Sequence, residues 1–188
     1  MKKLFLSLIV ALTSVTGLMA QSITVTEPEF AEETLLLTSD SQGVKLSREN
    51  GTIKTKAGAS LYLTGIGKVK SRLTLKGVKS ISKAVGGSTT RLIVKAEDNK
   101  TDPNSFISVF KFEVKGKERR YLLAEAGTLS KTESNNLSSV EYKAKKYGES
   151  SYYIVIEDLT PGEYGIVIGD PNHENTKNGM KVTTFTVE

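Results

Sequence analysis

The spacing with most chemical content lies in Lys68-Val69-Lys70-Ser71-Arg72-Leu73-Thr74-Leu75-Lys76. At a period of two, Lys68, Lys70, Arg72, Thr74 and Lys76 share one face of a strand, and Val69, Ser71, Leu73 and Leu75 share the other. Such a strand carries a ladder of cations, and Lys54 and Lys56, also two apart, join it if their own strand pairs alongside. A cation ladder suits acidic polysaccharide, lipid A phosphates, nucleic acid or an acidic partner, with binding that weakens as salt rises. It equally keeps a sheet soluble and blocks edge pairing. Nucleic acid is disfavoured, because no aromatic side chains are interleaved with the cations for bases to stack on.

Other motifs fail on spacing. Gly65-Ile66-Gly67-Lys68 invites a phosphate-cradling loop, but a P-loop needs glycine where Tyr62 stands and Ser or Thr where Val69 stands. A dinucleotide fingerprint needs glycine at Lys70, so the two glycines read as a turn or bulge between strands. The single histidine, His173, sits in the polar run Asp170-Pro171-Asn172-His173-Glu174-Asn175. Asp170, Asn172 and Glu174 alternate like the first ligands of a calcium loop, yet Asn175 replaces the required glycine and Lys181 the closing acid. Asp98, Asn99, Asp102 and Asn104 form a second oxygen-rich stretch without a ligand order, and read as a solvated turn. Glycoside hydrolysis needs only two facing carboxylates. Glu157 and Asp158 are adjacent and point apart, and sugar platforms are scarce in a chain without tryptophan. Tyr152 and Tyr153 fall on opposite faces of one strand, so at most one is core. No catalytic residue, metal site or cofactor is assigned; the binding candidates are Lys68, Lys70, Arg72 and Lys76.

The elements that position these residues begin after a leader. Residues 1–20 combine Lys2 and Lys3, an apolar run from Leu4 to Leu12, and Ala20 before Gln21, the pattern of a cleaved secretory signal. The expected location is the periplasm or the extracellular space, with no transmembrane segment, since no later run approaches ~18 apolar residues. The chain has no cysteine, which removes disulfides, thiolate metal sites and a lipidated N-terminal cysteine together. Charge is laid out as a mosaic. Residues 21–43 hold five acids and no bases, residues 44–95 hold twelve bases and one acid, Glu49, and residues 144–188 hold four bases and seven acids.

Helical periodicity is nearly absent, and short alternating stretches bounded by Gly, Asn, Asp and Ser recur along the chain, as in sandwiches and barrels. Strands are expected at 23–26, 34–38, 51–56, 60–64, 68–76, 90–97, 106–115, 119–124, 140–143, 152–157, 163–169 and 181–187. In 106–115, Phe106, Phe110, Phe112 and Val114 are expected on the core face, and Gly116-Lys117 makes a tight hairpin into the next strand. Leu159-Thr160-Pro161-Gly162-Glu163-Tyr164 resembles the corner before a late strand of immunoglobulin-like and fibronectin type III sandwiches, where a tyrosine hydroxyl bonds back to the turn. The expected fold is therefore all-β: an antiparallel immunoglobulin-like β-sandwich over 86–188. Residues 21–85 form either a small N-terminal β-meander on it or a second small β domain. The only linker-like stretch includes Gly86-Gly87-Ser88.

Three longer runs, 58–77, 110–129 and 143–166, taken in that order, resemble exported β-rich proteins of the Bacteroidota that have no assigned activity. Gln21 directly after the cleavage site fits those proteins too. The resemblance implies fold and export, and carries no functional residues over. Three functions are thus weighed. The first is a non-catalytic envelope or secreted protein that binds or scaffolds, its partner an acidic glycan, another envelope component or a protein. The others are a surface-assembly subunit using strand edges and a carboxylate-dependent hydrolase.

Overall fold

The computed structural model describes residues 23–64, 66–84, 89–127, 133–134, 139–169 and 179–188. The expected signal at 1–20, the glycine-rich stretch at 86–88 and the loop at 170–175 with His173 lie outside the described residues. In chain order the strands are β1 (Thr34–Leu37), β2 (Gly43–Lys45) and β3 (Ser47–Ala57), then a short helix α1 (Ala59–Thr64). Next come β4 (Lys68–Lys76), β5 (Lys83–Ala84), β6 (Thr89–Lys95), a 3-10 turn at Pro103–Ser105, β7 (Ile107–Lys111) and β8 (Glu113–Lys115). They are followed by β9 (Glu118–Gly127), β10 (Glu133–Ser134), β11 (Lys143–Tyr147), β12 (Ser151–Glu157), β13 (Gly162–Ile168) and β14 (Met180–Val187).

These strands form an all-β sandwich of two sheets. The smaller runs β11-β12-β6-β1-β2, and the larger runs β10-β9-β4-β3-β14-β13-β7, with β5 beside β14 and β8 beside β9. Strand β3 is long because it serves two partners: residues 47–51 pair with β14 and residues 52–57 with β4. Only Phe112 separates β7 from β8, and its N–H donates to the Glu163 carbonyl at 2.8 Å. Since β7 lies beside β13 and β8 beside β9, the larger sheet closes on itself.

Alternation then gives β7, β13 and β14 two buried faces. On one side Val109, Tyr164, Ile166 and Phe185 meet Leu92, Val94, Ile154 and Ile156 of the smaller sheet. On the other, Phe110, Val167, Met180 and Val182 meet Leu73, Leu75, Tyr121 and Leu123 inside the closed sheet. Residues on either side of position 85 share both sheets, for β1 lies between β2 and β6, while β3 and β4 lie between β14 and β9.

The expected tyrosine corner is present: the Tyr164 hydroxyl donates to the Thr160 carbonyl at 2.6 Å. The two-residue turn at Gly116-Lys117 also forms, with Gly116 at φ 63° and Lys115 opposite Glu118. Four expectations are corrected. Residues 60–64 are helical: the Gly58 N–H donates to the Lys68 carbonyl and closes the chain behind α1, and no described strand pairs with this segment. Residues 23–26 join no ladder, although Val25 is buried against Leu37 and Ile93. The strand expected over 106–115 breaks at Phe112, so Phe106 packs on Tyr152 in the first core, Phe110 and Phe112 lie in the second, and Val114 is 48% exposed. The strand expected at 140–143 begins instead at Lys143, while Val140 donates its N–H to the Val109 carbonyl beside β7.

Candidate anion-binding face

Strand β4 is central, flanked by β3 and β9, and its register settles which side chains share its outer face. Lys54 stands opposite Arg72 and Lys56 opposite Lys70, so the two lysines of β3 do join the ladder. From β9, Glu125 stands opposite Lys70, Arg120 opposite Thr74 and Glu118 opposite Lys76. A bulge between Ser71 and Arg72 absorbs the extra residue, Leu123, which turns inward and keeps Glu125 outward. Lys68, Lys70, Arg72 and Lys76 are therefore together as expected. The outer face of β3, β4 and β9 thus gathers Lys54, Lys56, Lys68, Lys70, Arg72, Lys76 and Arg120 around the carboxylates Glu118 and Glu125, while Arg48 of β3 pairs away with Glu32.

Those carboxylates organise the cations rather than cancel them. Lys68 and Lys70 both reach Glu125, at 2.6 and 2.7 Å, and their hydrogen bonds hold its pKa down to about 2. Lys54 at 2.8 Å and Arg120 at 2.8 Å share Glu118, whose pKa falls for the same reason. Lys54, Lys56, Arg72, Thr74, Glu118 and Arg120 surround a shallow depression of about 90 Å³. In sheet geometry the backbone positions that carry these cations repeat at ~4.8 Å across the strands and ~6.8 Å along them, which suits a ligand with repeated negative charges. Because β4 is internal, protecting a sheet edge does not account for its cations; Lys143, Lys145 and Lys146 of the edge strand β11 fill that role.

A second charged cluster, not anticipated from the sequence, lies inside the closed sheet. Arg119 is 1% exposed and spends all five N–H groups. Its Nη1 and Nη2 donate to Glu49 at 3.0 and 2.6 Å, Nη1 also to Ser80 Oγ at 2.8 Å, Nη2 to the Lys76 carbonyl and Nε to the Gly77 carbonyl. Glu163 accepts from the Ser80 N–H and hydroxyl, each at 2.7 Å, and from Thr186 Oγ1 at 2.7 Å. Thr184 Oγ1 donates to Glu49 at 2.5 Å. With every carboxylate oxygen and guanidinium hydrogen engaged, the cluster pins the chain around Ser80 to β9, β13 and β14. One signal for it was available: alternation places Arg119 in phase with the core residues Tyr121 and Leu123.

The remaining candidates build turns. Asp98 accepts from the Lys100 N–H, and Asp102 accepts from Asn104 N and Nδ2, each at 3.0 Å, capping the 3-10 turn. Asn99 donates to the Gly148 carbonyl at 3.2 Å, and Glu157 pairs with Lys143 at 2.9 Å. Tyr152 is the fully buried member of its pair, its hydroxyl donating to the Thr101 carbonyl at 2.5 Å; Tyr153, on the opposite face, packs half-buried on the cluster of Val25, Leu37 and Ile93 beneath Lys145. No protein-family model, curated protein or solved structure matches this chain.

Proposed function

We propose that this chain is an exported, non-catalytic β-sandwich protein of the bacterial envelope or secreted fraction, and that it binds a polyanion. An acidic glycan or another acidic envelope component is the class of ligand. The observation that carries this reading is the pairing of β3 with β4, which sets Lys54 and Lys56 beside Arg72 and Lys70 on one outer face. Carboxylates fix several of the cations in place before any ligand arrives, so less side-chain freedom is lost on binding. The site on this reading comprises Lys68, Lys70, Arg72 and Lys76 together with Lys54, Lys56 and Arg120. Export rests on the pattern of residues 1–20 and on the resemblance to exported Bacteroidota proteins.

The test is binding of the purified chain to acidic and neutral polysaccharides at low and physiological salt. Binding to an acidic class that weakens with salt, and is lost when Lys68, Lys70, Arg72 and Lys76 are all changed to Gln, is the expected result. Unchanged binding by that variant, with its circular dichroism unaltered, overturns the site.

A further inference from the structure

The β3-β4 hairpin ends in α1, and its tip is apolar and uncovered: Tyr62 is 80% exposed, Leu63 84% and Ile66 54%. Elsewhere Phe30, Val44 and Val114 stand singly, which is ordinary for a protein surface, while Val78 at 45% and Ile81 at 81% make a smaller pair. Three large, exposed apolar side chains within five positions of one turn are more than scattered single residues and call for an occupant. The turn is firmly built. Gly58 N–H donates to the Lys68 carbonyl at 2.9 Å, and Thr64 Oγ1 to the Ser60 carbonyl at 2.8 Å. Gly67 lies so close to α1 that a Cβ there would stand 2.8 Å from the Leu61 nitrogen.

Directly behind the tip come the first cations of the basic face. Lys56 and Lys70 stand opposite each other one pair below Ala57 and Val69, with Lys68 and Arg72 on either side of Lys70 along β4. Glu125 alone among the described acids pairs with this group. We infer that the hairpin tip docks on an anionic lipid surface. Tyr62, Leu63 and Ile66 enter the boundary between headgroups and acyl chains while Lys56, Lys68, Lys70 and Arg72 engage the headgroup phosphates. The inference rests on the basic face being the anion site. Its long side chains reach toward the interface along apolar surface, and a small apolar insertion combined with a basic collar supplies the two signals that stable peripheral attachment needs. Charge complementarity selects the occupant. A second copy of this chain meeting the first tip to tip would bring two cationic collars together, whereas an anionic bilayer offers both an apolar layer and opposite charge.

The chain has no tryptophan, so Leu63→Trp places a single indole at the tip, and Val114→Trp places one on β8 as a control. Each is titrated with vesicles of phosphatidylcholine alone and of phosphatidylcholine mixed with phosphatidylglycerol, with brominated acyl chains as quencher. The expected result is a blue shift and quenching for Leu63→Trp with the anionic vesicles only, and neither for Val114→Trp. Adding Lys68→Gln and Arg72→Gln lowers vesicle affinity about fivefold for each charge removed. No shift with either vesicle overturns the inference, as does an equal shift with the neutral vesicle. A shift that grows with protein concentration without lipid overturns it in favour of self-association. Retained binding to a soluble sulfated polysaccharide with a silent Leu63→Trp overturns lipid docking alone; loss of both removes the basic face as an anion site.

Discussion

Arg119 and Glu27 show how charge is handled at the scale of single residues. Arg119 faces two carboxylates in the interior, and removing it leaves Glu49 and Glu163 without their cation. Arg119→Ala should cost about 3–5 kcal/mol in urea unfolding, because a buried charge that has lost its partner is far more costly than the intact pair is stabilising. Arg119→Lys should recover only part of the loss, since an ammonium cannot reproduce the bidentate contact with Glu49. Glu27 offers a separate test through pH. Burial pushes its pKa up, but hydrogen bonds from the Ser150 N–H and Lys95 are among those that outweigh it and hold it at about 2. A carboxyl with a depressed folded pKa contributes stability above its unfolded pKa and loses it as pH falls. The contribution of Glu27, of order 2 kcal/mol, should therefore be full near neutrality and vanish between about pH 4.5 and pH 2. In urea melts across that range, Glu27→Gln should fall below the parent chain at pH 7 and the gap should close progressively from pH 4.5 down to pH 2; a gap at pH 2 as large as at pH 7 would refute the assignment. The ladder of β4 was legible at this scale because period-two spacing needs no knowledge of the partner strand. The partners of Arg119 were not, since Glu49, Ser80 and Glu163 come from three other places in the chain.

At the scale of elements, aromatic packing dictates where the backbone must stay bare. A Cβ on Gly165 of β13 would stand 2.6 Å from Phe110 Cε2 and 2.8 Å from Phe112 Cε2, and both rings are buried with no room to retreat. Gly165→Ala should destabilise by about 1–3 kcal/mol through overpacking despite the better strand propensity of alanine, read as a lower thermal midpoint. An unchanged or raised midpoint would mean that the rings move freely. Strands with one dry and one wet face, such as β4, could be read from alternation alone. β11 could not, because Lys143-Ala144-Lys145-Lys146-Tyr147 lacks alternation and becomes a strand through its ladder with β12. Residues 60–64 misled for the opposite reason: Leu61, Tyr62 and Leu63 look like strand material, yet the helix buries none of its residues, so apolar content there reports no core. Turn chemistry travelled best. Gly116-Lys117 and Pro161-Gly162 depend on local backbone preference, which sequence carries directly.

For the whole molecule, the order of strands in the sheets decides how the chain can be divided. A boundary at 85 cuts four ladders: β1 with β6, β3 with β14, β5 with β14, and β4 with β9. It also splits both cores, since Leu36 and Leu46 join Leu92 and Phe185 in the first, while Leu73 and Leu75 join Phe110 and Val182 in the second. A fragment of residues 21–85 would keep only the β1-β2 and β3-β4 pairings, two hairpins without a core, and isolated hairpins are marginal in water at best. The 86–188 fragment would lose the strands that stand between β14 and β9, leaving the closed sheet open along two unpaired edges. Neither fragment should give the circular dichroism of a folded β protein alone, and mixing the two should restore it together with a single unfolding transition. A cooperative melt from residues 86–188 alone would show that the interleaved strands are dispensable. Folding should also be slow for a chain of this size, because each of those four ladders closes a long loop before its contacts form. Joining the halves by a longer connection at 86–88 should slow folding only slightly, since loop-closure cost grows with the logarithm of length.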